Sequence, residues 1–129
     1  MTVLRARVLN PKSATEAEYI EDARLVIEEG CLTEVGHYNG EPGAIDLRPG
    51  LLLPGFVDAH VHFPQTRVVG SATGPLLDWL KSTAFPEEQR FSEAAFAERV
   101  ARVFTASLAA AGTTGAFVYG SVHTPAAEA

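Results

Sequence analysis

Two histidines separated by one residue, His60 and His62, are the side chains in this sequence whose type and spacing best suit chemistry. They close an apolar stretch that begins at Leu51. In a β-strand, residues two apart share a face and their Cα atoms lie roughly 6.6 Å apart, so both imidazoles can reach one ion. Zinc sites in proteins take three or four ligands. The pair would therefore supply about half of a metal site, and the other ligands must come from elsewhere.

The spacing alone leaves two interpretations open. A His-x-His pair also occurs as two polar residues near a strand end, and short motif matches are often accidental. The neighbouring residues favour a metal, because Asp58 shares the predicted face with both histidines. One carboxylate and two imidazoles are costly to bury without partners, and a metal would provide those partners.

Several segments carry a resemblance to a known family. Pro54–His62, with the sequence PGFVDAHVH, resembles the first barrel strand of the amidohydrolase superfamily. Within that superfamily the guanine deaminases are similar to FPQT at 63–66, LLDWL at 76–80, FPEEQRF at 85–91, GTT at 112–114 and GSVHT at 120–124. The likeness covers residues 51–124.

This resemblance implies an α/β fold: the N-terminal part of a metal-dependent (β/α)8 barrel, preceded by strands of a small β-sandwich domain. The predicted domains are residues 1–50, part of the β-sandwich, and residues 51–129, the first βα units of an incomplete barrel. A complete (β/α)8 barrel needs about 250 residues, and this chain has 129. We therefore expect the chain to be part of a longer protein, as a truncated product, a fragment or a split subunit.

The resemblance also implies a binding site. His60 and His62 would be metal ligands, with zinc as the expected ion and another divalent metal such as iron as the alternative. Phe63, Pro64 and Gln65 would form the substrate-binding segment, with Gln65 on the purine ring. An amide donates and accepts hydrogen bonds, which suits a purine edge, although a solvated loop glutamine is the alternative. The remaining ligands and the catalytic carboxylate would lie beyond Ala129, so no catalytic residue is assigned.

Four other residues have weaker claims to a role. Asp58 can either accept a hydrogen bond from a ligand imidazole and orient it, or be paired in a structural hydrogen bond. Trp79 can wall a pocket but its helical spacing is more typical of a core residue. His123 follows the second barrel strand and is not assigned as a ligand. Cys31 is expected to be a small buried apolar side chain.

The implied reaction is the hydrolytic deamination of guanine to xanthine and ammonia by a metal-activated water. The isolated chain is expected to be inactive, because half of the ligand set is missing. One alternative is another amidohydrolase, either hydantoinase-like or acting on a different aminopurine or a triazine. A second is a non-catalytic fragment, or a subunit completed by a partner chain. The other zinc deaminase class needs His-x-Glu and Pro-Cys-x-x-Cys, and this sequence contains neither.

Composition limits the partners. The formal net charge of -6 argues against nucleic acid and against an anionic membrane surface. No apolar run approaches the ~18 residues of a transmembrane helix. With one cysteine, no disulfide can form within the chain, which fits a cytoplasmic location. The family resemblance implies a small purine substrate and a homodimeric full-length protein.

Apolar alternation and turn residues predict the N-terminal elements. Strands are expected over Thr2–Leu9, Ala23–Glu28, Cys31–His37 and Ala44–Leu47, most of them in an antiparallel meander. The apolar run Leu51–Leu53 is typical of a parallel strand that is buried on both faces.

The C-terminal part alternates between strand and helix patterns. The strand Phe56–His62 is followed by a helix through Leu76–Leu80, which Phe85-Pro86 is expected to break. Ser92 is the predicted N-cap of a longer helix that ends at Gly112. A second strand at Ala116–Tyr119 would then pair in parallel with the first.

Overall fold

The computed structural model describes every residue from Met1 to Ala129 and divides into two compact units, Met1–Pro54 and Gly55–Ala129. The first unit is a four-stranded sheet in the order β3-β2-β1-β4. Its strands are β1 (Thr2–Pro11), β2 (Ala17–Glu28), β3 (Cys31–His37) and β4 (Ile45–Leu52). The β1–β2 and β2–β3 pairs are antiparallel, as the meander predicts, whereas β4 runs parallel to β1.

The core of this unit follows from the alternation of apolar residues along β1 and β2. It consists of Ala6, Val8, Ile20, Ala23 and Leu25. Both strands extend beyond their predicted ends, because Pro11 pairs with Ala17 and lengthens the hairpin. Cys31 lies exposed at the start of the edge strand β3, so its expected burial is wrong.

The leucine run at the end of this unit differs from its prediction. Leu51 and Leu52 pair with Arg7 and Val8 as the last residues of β4, in parallel as expected. However, Leu51 and Leu53 remain 49% and 40% exposed, so burial on both faces is wrong for them. The leucine run therefore lies in the first compact unit, which ends at Pro54.

An ion-pair network lies on the first unit. Arg5 donates two hydrogen bonds to Asp22 at 2.7 and 2.6 Å, and Arg48 donates two to Asp46 at 2.9 and 2.6 Å. Arg5 also lies 3.8 Å from Asp46, and Arg48 lies 3.7 Å from Asp22. The hydrogen bonds from Arg48 hold the pKa of Asp46 well below its ordinary value. The hydrogen bonds from Arg5 likewise lower the pKa of Asp22.

The second unit is built on one parallel strand pair, β5 (Phe56–His62) and β6 (Thr113–Tyr119). A 3-10 helix, Phe63–Val68, follows β5 directly. The helices are α1 (Leu76–Trp79), α2 (Phe85–Gln89), α3 (Ala94–Ala110) and, after β6, α4 (Thr124–Glu128). The order of a strand, several helices and a second strand parallel to the first confirms the predicted βα unit. The core is formed by Phe63, Phe91, Phe96, Ala97, Val100, Phe104 and Ala126.

The fold class is thus mixed α/β, and the two strands of the second unit form an open sheet rather than a closed barrel. No helix combines the length and the apolar composition needed to cross a membrane.

The predicted break at Phe85-Pro86 is wrong, since helical structure continues through it. A π-helical turn, Leu80–Ala84, joins α1 to α2, and the N–H of Phe85 bonds the carbonyl of Leu80. Pro86 then lies in the first turn of α2, directly after the π-helical turn, and has no N–H to donate to that turn. The wide turn therefore allows the chain to pass the proline without leaving the helix.

The ends of α3 were predicted with mixed success. Ser92 is not the N-cap: its hydroxyl donates to the carbonyl of Gln89 at 2.8 Å, and Glu93 occupies the cap position in an extended conformation. Gly112 does end the helix, with a φ of 78°. Its carbonyl accepts the N–H of Phe56 at 2.8 Å, so this turn also fixes the start of β5.

Candidate metal and substrate-binding site

The C-terminal end of β5 presents both histidines on one side of the strand. Their Nε2 atoms lie 3.1 Å apart and their ring centroids 5.1 Å apart. This confirms the predicted common face. His60 is exposed and His62 is half-buried, so an ion can approach from solvent.

The spacing of the two nitrogens fits a shared metal ion. Two ligands at about 2.0–2.1 Å from one tetrahedral ion lie about 3.3 Å from each other, close to the 3.1 Å between the Nε2 atoms. Without an ion, one ring can donate a hydrogen bond to the other at this distance. No group of three or more His, Cys, Asp or Glu side chains is arranged to hold a metal. The pair thus offers two of the ligands that a site requires.

Tyr119, at the end of β6, packs against both imidazoles. Its ring centroid lies 4.5 Å from that of His60 and 5.0 Å from that of His62. Sequence reasoning missed this residue. The signal that could have found it is the register, because Tyr119 pairs directly with His62 across the parallel strands. An aromatic ring against both imidazoles restricts their rotation.

The side chain of Asp58 forms a hydrogen bond with the backbone of the site. Its half-buried carboxylate accepts a hydrogen bond from the backbone N–H of His60 at 3.0 Å. The register between β5 and β6 shifts between Asp58 and Val61, so the carboxylate satisfies an amide at the point where the strand pairing is irregular. In this structure Asp58 fixes the chain that carries His60.

Phe63 and Pro64 lie in the core of the second unit. The Phe63 ring packs against Phe91 and Phe104 at centroid distances of 5.1 and 5.4 Å. Pro64 is fully buried. These two residues therefore anchor the 3-10 helix that begins directly after His62.

Gln65 is a half-buried polar residue of this 3-10 helix. Its side-chain Nε2 donates to Glu88 Oε1 at 3.1 Å. Two residues later, Arg67 lies 3.6 Å from Glu87, a carboxylate that is also 3.0 Å from Arg90. Adjacent glutamates of α2 thus hold the 3-10 helix at two points.

Trp79 and His123, which were also singled out in the sequence, form no hydrogen bond and no ring contact with the histidine pair. The indole N–H of Trp79 donates to Ser71 at 3.1 Å and ties α1 to the preceding loop. His123 occupies the N-cap position before α4, and its buried Nε2 has no hydrogen-bond partner. His37 ends β3 in the first unit.

A model of the amidohydrolase family matches residues 51–129, which include the histidine pair and all of the second unit. This chain belongs to the amidohydrolase family. The match begins in the apolar run before β5 and continues through the βα unit, which agrees with the resemblance seen in the sequence.

Several individual relatives of this chain are guanine deaminases. The chain is 38% identical over 128 residues to the guanine deaminase of Escherichia coli, covering 93% of this chain and 29% of that protein. It is 53% identical over 76 residues to a probable guanine deaminase of Deinococcus radiodurans, covering 59% of this chain and 17% of that protein. The solved structure of the E. coli guanine deaminase matches with a TM-score of 0.88 at 30% identity, covering 99% of this chain and 33% of that one. This chain therefore spans less than a third of the curated relatives' length.

Proposed function

We propose that this chain forms part of a guanine deaminase, which hydrolyses guanine to xanthine and ammonia. The observation that carries the proposal is the pair of imidazoles at the end of β5, with Nε2 atoms 3.1 Å apart, directly followed by the segment of Gln65. The names of the relatives support guanine as the substrate. Because the chain covers 29% of the E. coli enzyme, the activity is proposed for a longer protein that contains it.

His60 and His62 would hold the metal, which we propose to be zinc, with iron as the alternative. When bound, such an ion lowers the pKa of a coordinated water to about 7. The chain's own contribution is to position the two ligands. Tyr119 packs on both rings, and Asp58 holds the backbone N–H of His60.

Gln65 would bind the purine ring. One N–H of its amide is held by Glu88, which leaves the carbonyl oxygen and the second N–H for a ligand. The free carbonyl oxygen and the free N–H of this amide together match a ring edge that carries both a donor and an acceptor. Phe63 and Pro64 support this contact by fixing the segment in the core.

We also propose domain assignments. The strands of the first unit would belong to a small β-sandwich, and β5 and β6 would be the first two strands of a (β/α)8 barrel. Val57 on β5 and Phe117 on β6 are each 76% exposed, which is expected of barrel strands that further strands would cover.

We propose a cytoplasmic location for the protein. The one cysteine of this chain is a free thiol, which suits the cytoplasm.

A substrate panel tests the function. The purified full-length protein is incubated with guanine, other aminopurines, an aminotriazine and a hydantoin, and the products are separated by chromatography. We expect xanthine and ammonia in equal amounts from guanine and no comparable turnover of the other rings. Turnover of another ring without turnover of guanine would contradict the proposal. The isolated 129-residue chain should form no xanthine, because it holds two ligands only.

A further inference from the structure

Gln65 and Glu88 form a contact whose direction is fixed by chemistry. The amide Nε2 lies 3.1 Å from Glu88 Oε1, in a half-buried environment. An ionised carboxylate only accepts hydrogen bonds, whereas an amide has one end that donates and one that accepts. Turning the amide over would bring its carbonyl oxygen against the carboxylate. Glu88 therefore selects one of the two orientations of the Gln65 amide.

The orientation of the amide decides which ligand atoms it can recognise. With Nε2 held by Glu88, the Gln65 carbonyl is free to accept a hydrogen bond from a ring N–H. If the amide turned over, the same position would present a donor, and a ring N–H there would have no partner. Sites that pair a buried polar group discriminate strongly against a ligand that leaves it unpaired.

We propose that Glu88 is a positioning residue for substrate recognition: it holds the Gln65 amide so that its carbonyl accepts from an N–H of the purine ring. This role rests on the proposed function. It is separate from the ion pairs of the neighbouring Glu87, which holds Arg67 of the same 3-10 helix at 3.6 Å. Both glutamates thus attach that helix to α2, but only Glu88 bonds the amide.

The neighbouring glutamate supplies a matched control. Glu88→Gln keeps the size of the side chain but can donate or accept, so it no longer selects an amide orientation. Glu87→Gln weakens the second attachment point and leaves the Gln65–Glu88 bond in place. Both variants are made in the full-length protein, and thermal unfolding shows whether each still folds. Glu88→Asp is made as well, to keep an acceptor-only carboxylate should Glu88→Gln fold poorly.

Two readouts are measured. The first is the KM and kcat for guanine. The second is the side-chain amide signal of Gln65 in protein labelled with 15N-glutamine, identified by its loss in Gln65→Glu. In Glu88→Gln we expect the amide signal to move and KM to rise about tenfold, with kcat changed less than about twofold. Glu87→Gln should leave the Gln65 amide signal and the KM for guanine close to the wild-type values. The KM of Glu88→Asp should lie between those of wild type and Glu88→Gln.

Two results would overturn the positioning role: an unchanged Gln65 signal and KM in Glu88→Gln, or an equal rise of KM in Glu87→Gln. A different result would overturn the proposed function alone. If the wild-type protein does not deaminate guanine but the Gln65 signal still responds only to substitution of Glu88, the amide is held as proposed and the substrate is another ring.

Discussion

The rings of Tyr119 and His62 lie nearly parallel, with 17° between their planes and 5.0 Å between their centroids. Tyr119 also approaches His60, at 4.5 Å between centroids. One aromatic side chain from β6 thus limits the orientation of both proposed ligands on β5. This relationship couples the pairing of the two strands to the geometry of the proposed metal ligands.

Tyr119→Ala should weaken the binding of zinc, because both imidazoles gain rotational freedom. We expect a loss of about two- to tenfold in affinity, on the scale of an aromatic pair. Tyr119→Phe keeps the ring and should stay close to wild type. The affinity is measured in the full-length protein by competition with a chromophoric chelator. Equal losses in the Phe and Ala variants would show that the hydroxyl, rather than ring packing, matters.

Substitution of Asp58 separates its backbone contact from its charge. Asp58→Asn retains an oxygen that can accept the N–H of His60 and should bind zinc nearly as well as wild type. Asp58→Ala leaves that N–H without its partner, and we expect an affinity about tenfold lower. The same chelator competition measures both. If Asn proves as damaging as Ala, the negative charge is required and the backbone contact does not explain the role of Asp58.

The ion-pair network of the first unit predicts a loss of stability in acid. Asp22 and Asp46 have pKa values below the ordinary 3.8, so the unfolded chain binds more protons than the folded one below that pH. Their stabilising effect is complete above pH 3.8 and is lost as the pH falls through the folded pKa values. We expect the urea midpoint of wild type to drop more steeply in this range than that of Asp46→Asn.

Asp78 provides the comparison for this pH effect, since it forms no ion pair in the structure. Asp78→Asn should follow the wild-type pH profile. Identical profiles for wild type and Asp46→Asn would show that the network contributes nothing measurable, as is common for exposed ion pairs.

Local patterns were sufficient to locate the histidine pair. Strand alternation placed His60 and His62 on one face, and this held because a period of two depends on the backbone alone. The end of α3 at Gly112 was predicted for a similar reason, since a left-handed residue after a helix favours glycine. Both features are set by residues close to them in sequence.

Four features were not predicted, and two of them depend on residues that are distant in sequence. Tyr119 reaches the histidines through the register of two strands that are far apart in sequence. The Gln65–Glu88 bond joins two helical segments 23 residues apart. Pro86 was predicted to break the helix because the sequence does not reveal the π turn that precedes it. Ser92 has the residue type of an N-cap, but its hydroxyl bonds the preceding turn, which leaves the cap position to Glu93.

The metal content of the full-length protein tests the histidine pair most directly. Wild type, the double variant His60→Ala/His62→Ala and the variant His37→Ala, which changes a histidine of β3, are purified and analysed by plasma mass spectrometry. We expect wild type and His37→Ala to retain a divalent metal, and the double variant to lose both the metal and guanine turnover. A double variant that keeps wild-type metal content and wild-type turnover would contradict the assignment of His60 and His62 as ligands.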